Sequence, residues 1–217
     1  MYSVKEIYYT LQGEGQQMGR PAVFLRFSGC NLWSGREVDR EKAVCRFCDT
    51  DFRGVDGING GKYSTAQELV KMVSMNWPKT KQKIKPYVVC TGGEPLLQLD
   101  DELIDEFHRN SFEIGVETNG TISAPKNIDW VCVSPKANSI LKQTSGNEIK
   151  LVYPQIEESA SPQLFKKMDF EFFFLQPLDD KNSKLNTKLN TKLSIEYCLK
   201  NPQWRLSIQS HKILGLP

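Results

Sequence analysis

The chain has 217 residues, 39% of them apolar, which suits one domain with a sizeable core, and its net charge of +2 singles out no class of partner. No stretch approaches the roughly 18 consecutive apolar residues of a membrane span. The N-terminus, Met1-Tyr-Ser-Val-Lys-Glu, lacks the regions of a signal peptide, and no nucleic-acid module is recognisable. A soluble, cytoplasmic protein with no nucleic-acid or membrane partner is expected.

Val23–Phe27 reads as a first strand, followed by a long loop bearing glycines and cysteines, about 28–61. Thr65 caps a helix, with Glu68 three residues on and Leu69, Val70 and Val73 as the apolar face. The basic run Lys79, Lys81, Lys83 and Lys85 reads as a wet loop before the strand Tyr87–Cys90, which ends in Thr91-Gly-Gly-Glu-Pro95. Asp101–Asn110 is an amphipathic helix carrying Leu103, Ile104 and Phe107.

Strands follow at Phe112–Glu117, Trp130–Val133, Glu148–Val152, Glu171–Leu175 and Arg205–Ile208, with helices at Ser161–Met168 and ending near Lys200. Alternating strands and helices imply an α/β fold with a mainly parallel sheet, either a partial (β/α) barrel or an open doubly wound sheet. Either fold places its site at the strand ends, where the polar clusters lie. The repeat Lys184-Leu-Asn-Thr, Lys188-Leu-Asn-Thr, Lys192-Leu-Ser keeps Leu185, Leu189 and Leu193 on one helical stripe and reads as a core-facing helix or an extended linker. From Lys181 to Pro217, seven Lys or Arg face one acid, Glu196, a pattern read as a solvated face and tail.

Cys90, Cys132 and Cys198 stand singly in apolar surroundings and read as buried and inert. Cys30, fourteen residues, then Cys45-Arg-Phe-Cys48 form a cluster. Three thiolates without a fourth ligand fit a [4Fe–4S] cluster with one open iron. A zinc site, a redox dithiol and chance pairing remain open on spacing alone.

Gly92 and Gly93 let backbone approach a ligand, and Glu94 offers an acceptor to an ammonium group. After three cysteines, this turn resembles the glycine-rich strand end of radical S-adenosylmethionine enzymes, which holds the cofactor's methionyl amine. Phe47 matches the aromatic residue beside the adenine. The superfamily's usual first cysteine gap is shorter than fourteen residues, which points to a particular branch. Leu11-Gln-Gly-Glu-Gly15, Arg26-Phe-Ser-Gly-Cys30, Cys48-Asp-Thr50, Thr91–Pro95, Glu117-Thr-Asn-Gly120, Ser134-Pro-Lys136, Gln176-Pro-Leu-Asp179 and Gln209-x-His211 occur in order along the chain. Together they resemble the 7-carboxy-7-deazaguanine synthase family of queuosine biosynthesis, some members of which share the fourteen-residue gap.

The resemblance implies a lyase built as a partial (β/α) barrel in one domain over residues 1–217, with a substrate-site tail at about 205–217. It implies a [4Fe–4S] cluster on Cys30, Cys45 and Cys48 that cleaves S-adenosylmethionine. The resulting radical abstracts the C6 hydrogen of 6-carboxy-5,6,7,8-tetrahydropterin, and the ring contracts with loss of ammonia. A Mg²⁺ ion is implied on Thr50. Leu11, Gln12, Gly13, Glu14, Arg26, Thr91, Glu117, His211 and the Pro217 carboxylate match the pterin site. Phe47, Gly93, Glu94, Ser134, Pro135, Lys136, Gln176, Pro177, Leu178 and Asp179 match the cofactor site. A homodimer and a flavodoxin-type reductant meeting the Lys181–Lys192 face are further implications. A glycyl-radical activase and a zinc-stabilised binding module are the competing readings. The first usually has the short cysteine gap, and the Gln12, Glu14 and His211 motifs argue against it.

Overall fold

A computed structural model describes every residue except 80, 82, 83, 156, 181 and 182. One sheet carries nine strands: β1 (Tyr2–Leu11), β2 (Pro21–Phe27), β3 (Gly61–Tyr63), β4 (Tyr87–Gly92), β5 (Glu113–Thr118), β6 (Trp130–Val133), β7 (Ser145–Tyr153), β8 (Asp169–Pro177) and β9 (Trp204–Leu206). Their order is β3-β1-β2-β4-β5-β6-β7-β8-β9. From β2 to β9 every pairing is parallel, so their C-terminal ends share one rim, whereas β1 runs antiparallel to both β2 and β3. This is a partial-barrel α/β architecture.

Val23–Phe27 is therefore the second strand. β1 precedes it, and its alternation is broken by a register shift between Val4 and Glu6. That shift weakens the two-residue periodicity by which a strand is recognised. Ser28 to Gly60 forms the expected long loop, closed by the short β3.

Helix α1 (Ala66–Asn76) is capped as expected: Thr65 Oγ1 accepts from Glu68 N at 3.2 Å, and Glu68 Oε2 accepts from Ser64 N at 2.8 Å. In α2 (Asp101–Arg109), Asp100 accepts from Leu103 N, and Leu103, Ile104 and Phe107 are buried. Both helices pack against the outward residues of β2, β4 and β5, including Val23, Leu25, Val88, Cys90 and Ile114. The main apolar core thus lies outside the barrel wall, which leaves the alternate, inward positions free for polar side chains.

Helix α3 (Pro162–Phe165) is shorter than the Ser161–Met168 expected, α4 spans Lys184–Lys200, and α5 spans Ser210–Leu214. The leucine stripe does not face the core: Leu185 is 76% and Leu189 52% exposed, while Asn190 and Ser194 are buried. Backbone carbonyls decide that orientation. Asn190 Nδ2 donates to Leu178 O at 2.8 Å, so the helix serves the polar tip of β8 where an apolar face had been expected. The partly buried Tyr197 and Cys198 pack against the core at its other end. Cys90 and Cys132 are buried, and burial pushes both thiols up. Among the described residues, no helix is long and apolar enough to cross a membrane.

Candidate active site

A cavity of about 440 Å³ opens at the C-terminal ends of the strands. It gathers nearly every position singled out in the sequence: Leu11 to Glu14, Arg26, the three clustered cysteines, Phe47, Thr50, Thr91, Gly93, Glu117, Ser134, Lys136, Gln176 to Asp179, His211 and Pro217. Glu94 and Pro135 are not among the lining residues.

The cysteines reach the cavity by different routes. Cys30 follows directly from β2, and its Sγ accepts from Leu32 N at 3.4 Å. Cys45 and Cys48 hang from the fourteen-residue insertion, which is ordered by Arg40. The Arg40 guanidinium lies 4.0 Å over the Trp33 ring, and Nη1 donates to Arg46 O at 2.8 Å and Cys48 O at 3.1 Å. One cation thereby shapes the Cys45–Cys48 turn. The Cys48 thiol is pulled down, first by a hydrogen bond with Cys45 and further by the Lys136 ammonium. Cys45 is pushed up by the same pairing and by burial. Among the described residues, no group of three His, Cys, Asp or Glu side chains is arranged to hold a metal ion.

The glycine turn binds this loop to the sheet. Glu94 N donates to Gly29 O at 2.9 Å and Gly93 N to Phe27 O at 3.3 Å. A Cβ at Gly93 would collide with the Gly29 carbonyl and with Cys30 Cβ, and Gly92 has φ +132°. Glu94 itself is 0% exposed. Its Oε1 accepts from Thr118 Oγ1 at 2.7 Å and Leu96 N at 3.0 Å, and its Oε2 accepts from Asn119 N at 2.8 Å. Both oxygens are thus engaged in joining the end of β5 to the turn, and burial pushes the carboxyl up.

Across the cavity lies a polar network. Arg26, opposite Thr91 on β4, donates from Nε to Glu6 Oε1 at 2.8 Å and from Nη2 to Tyr8 Oη at 2.9 Å. Gln12 Nε2 donates to Glu117 Oε1 at 2.9 Å. Glu14 Oε1 accepts from Gln176 Nε2 at 3.1 Å and Gln209 Nε2 at 3.0 Å, while its Oε2 lies 2.6 Å from Lys150 Nζ. Burial would raise the Glu14 carboxyl, but Lys150, helped by Gln209 and His211, holds the group below its usual range. Lys136 Nζ donates to both Ser134 O and Ser134 Oγ at 2.6 Å.

The C-terminal segment closes one side. Ser210 N and Oγ both donate to Gly13 O, at 3.0 and 2.8 Å. A Cβ at Gly13 would run into the His211 ring, so only glycine admits the histidine there. Lys212 bridges Asp49 and Asp179 at 2.7 Å each.

Glu6, Tyr8, Lys150 and Lys212 are not among the site residues expected from the sequence, and Gln209 stands there only as part of the Gln209-x-His211 motif. For Lys150 a signal existed. Glu148 and Lys150 alternate with Ile149 and Leu151 in a strand flanked by others, a pattern that turns the charged pair inward.

A partial parallel barrel with a three-cysteine loop after its first parallel strand and a glycine turn after the next defines a radical S-adenosylmethionine enzyme. No family model matches the chain. Its sequence is 60% identical over 216 residues to the 7-carboxy-7-deazaguanine synthase of Caulobacter vibrioides, covering 100% of this chain and 99% of that protein. The synthases of Bradyrhizobium diazoefficiens and Burkholderia multivorans are 56% and 55% identical, covering 99% and 100% of this chain and 99% of each relative. The crystal structure of QueE from Escherichia coli superposes with a TM-score of 0.69 at 27% identity, over 97% of this chain and 94% of that one. The chain belongs to the 7-carboxy-7-deazaguanine synthase family.

Proposed function

We propose that the protein, acting as one domain, converts 6-carboxy-5,6,7,8-tetrahydropterin to 7-carboxy-7-deazaguanine with release of ammonia. The observation that carries this reading is the shared cavity, in which the three cysteines and the Gly93 turn face the buried Gln12 and the half-buried Glu14, Arg26 and Glu117. A reactive centre and a polar pocket for a flat heterocycle thus adjoin.

Cys30, Cys45 and Cys48 suit a [4Fe–4S] cluster, since all three thiols line one cavity and the Lys136 charge lowers the cost of ionising the Cys45–Cys48 pair. Backbone at Gly93, with Phe47, Ser134, Lys136 and the segment Gln176–Asp179, suits S-adenosylmethionine. When bound, cluster and cofactor supply the one-electron chemistry that starts the reaction. Thr50 suits a Mg²⁺ ion, a hard cation that keeps most of its waters and takes few protein oxygens. Arg26 orients the substrate: Glu6 and Tyr8 fix its guanidinium, and its Nη1 makes no hydrogen bond to a described residue, leaving it for the pterin carboxylate. Glu117, Gln12 and His211 border the remaining edge, and Lys212 and Pro217 line the same cavity.

We place the enzyme in the cytoplasm as a homodimer. A flavodoxin-type reductant fits the exposed Lys184, Lys188 and Lys192 of α4, while Lys181 of that face lies outside the described residues, as does Lys83 of the basic loop.

The test is incubation of the reduced, reconstituted protein with S-adenosylmethionine, Mg²⁺ and the pterin, following 7-carboxy-7-deazaguanine and ammonia. Cofactor cleavage with unchanged pterin would defeat the substrate assignment. Thr50→Ala should blunt the response to Mg²⁺ more than it blunts cofactor cleavage, and equal turnover with and without the ion would remove Thr50 from the ligands.

A further inference from the structure

Lys150 lines the cavity but has no part in the reading above. The β7 register sets it inward, opposite Phe174 of β8, and leaves it 4% exposed. Its Nζ lies 2.6 Å from Glu14 Oε2 and 3.2 Å from Glu117 Oε1. The two carboxylates differ in what they have left to offer. Glu14 already engages both oxygens, through Lys150 on one side and Gln176 and Gln209 on the other. Glu117 spends Oε1 on Lys150 and Gln12, while its Oε2 makes no hydrogen bond to a described residue.

A lysine placed here only to neutralise one acid needs one partner. Two carboxylates converging on one ammonium leave the trio with a net negative charge and one open acceptor, facing a cavity. The groups around Lys150 are Glu117 from β5, Glu14 from the loop after β1, Cys132 from β6 and Glu148 from its own strand, with His211 of α5 acting on Glu14. Burial works against the ammonium, but the surrounding carboxylates outweigh it and keep the lysine charged.

We propose that Lys150 is a positioning residue for the pterin: its ammonium holds Glu14 and Glu117 side by side as carboxylates and leaves Glu117 Oε2 to accept from the N–H donors of the pyrimidine edge. Glu14 then serves as the counter-ion that fixes Lys150. The inference rests on the substrate site proposed above.

The experiment compares reconstituted wild type, Lys150→Met and Lys150→Arg, with iron content and melting temperature measured alongside steady-state turnover of the pterin. Lys150→Met should raise the pterin KM about tenfold, the loss expected for one charge-assisted contact, with a smaller change in kcat. Without the cation, two adjacent carboxyls share a proton, so the KM of Lys150→Met should fall as pH rises through neutrality while that of wild type stays flat. Lys150→Arg should recover most of the affinity.

An unaltered KM in Lys150→Met overturns the proposal. So does equal loss in both variants with a flat pH profile, which marks a purely structural role. If Lys150→Met fails to fold, Lys150→Met combined with Glu14→Gln restores the charge count. That double variant should fold and show the raised KM of a protein without the ammonium, but independent of pH, and a KM that still falls as pH rises overturns the proposal as well. Wild-type conversion of the pterin is the control: its absence removes the functional reading, whereas its presence with an indifferent Lys150→Met removes only the role of Lys150.

Discussion

Lys212 Nζ stands 2.7 Å from Asp49 Oδ2, tying the C-terminal helix to the residue that follows Cys48. The same ammonium reaches Asp179 at the tip of β8, so one side chain clasps three parts of the cavity wall. Burial opposes the charge on Asp49, but Lys212 holds its carboxyl below the usual range. All three side chains are about a third exposed, so Lys212→Ala should cost about 1 kcal/mol or less of stability, with the loss shrinking in high salt. The clearer effect is local: limited proteolysis should cut the segment after β9 faster in the variant. An unchanged cleavage rate would show that α5 is held by Ser210 and His211 alone.

Cys30→Ala, Cys45→Ala and Cys48→Ala should each abolish cluster assembly and cofactor cleavage, read as iron content and visible absorption. Cys90→Ala, Cys132→Ala and Cys198→Ala should keep the cluster, since Cys90 and Cys132 are buried in strands β4 and β6 and Cys198, on α4, packs against the core. Full iron loading in a Cys45 variant would remove that residue from the ligands.

Gly93→Val should weaken S-adenosylmethionine binding, measured by calorimetry. From its sequence context alone, cluster retention would be expected. The contact with Gly29 and Cys30 changes that expectation: an added side chain displaces the cluster loop, so iron loading should fall too. Normal iron content with lost cofactor binding would mean that the loop yields without disturbing Cys30.

Arg26→Ala should lose pterin turnover while retaining slow, uncoupled cofactor cleavage, because it removes a charge-assisted anchor worth about 2 kcal/mol, roughly thirty-fold in binding. It also strips Glu6 of its partner, so Glu6→Gln combined with Arg26→Ala separates loss of the anchor from an unpaired acid. Normal turnover by Arg26→Ala would move the substrate carboxylate elsewhere.

The Glu14–Lys150 pair makes a prediction about pH. The folded-state carboxyl is held below its unfolded value, so its contribution is present above the unfolded value of about 4.3 and is lost as pH falls through the lower folded one. Lys150 is raised, so its share is present below its unfolded value of about 10.4 and is lost only above that. Melting temperature should therefore be insensitive to this pair from about pH 6 to 8 and drop in acid, and Glu14→Gln should flatten the acid limb. An acid limb equally steep in both proteins would assign the acid sensitivity to other carboxylates.

The helices α1 and α2 were legible from their apolar faces, and α1 to its cap, because Thr65 acts through bonds within one turn of chain. The parallel strands were legible as apolar runs. β1 was not, since its register shift disrupts alternation, and α4 was turned wrongly, since the carbonyl of Leu178 that attracts Asn190 lies twelve residues away and beyond any local pattern.

The sequence by itself determined the chemistry that resides in single residue types at fixed spacing: three thiols, a glycine turn and a set of motifs in family order. Those features need only a strand end to act on. What only the tertiary structure decided is which polar groups are spent on each other. Glu94 turned out to be saturated by Thr118, Asn119 and Leu96, Glu14 by Lys150 and two glutamines, whereas Arg26 and Glu117 each keep an atom without a protein partner among the described residues. A buried polar atom takes whichever partner comes within about 3 Å, and partners drawn from strands a hundred residues apart meet only once the barrel has curled.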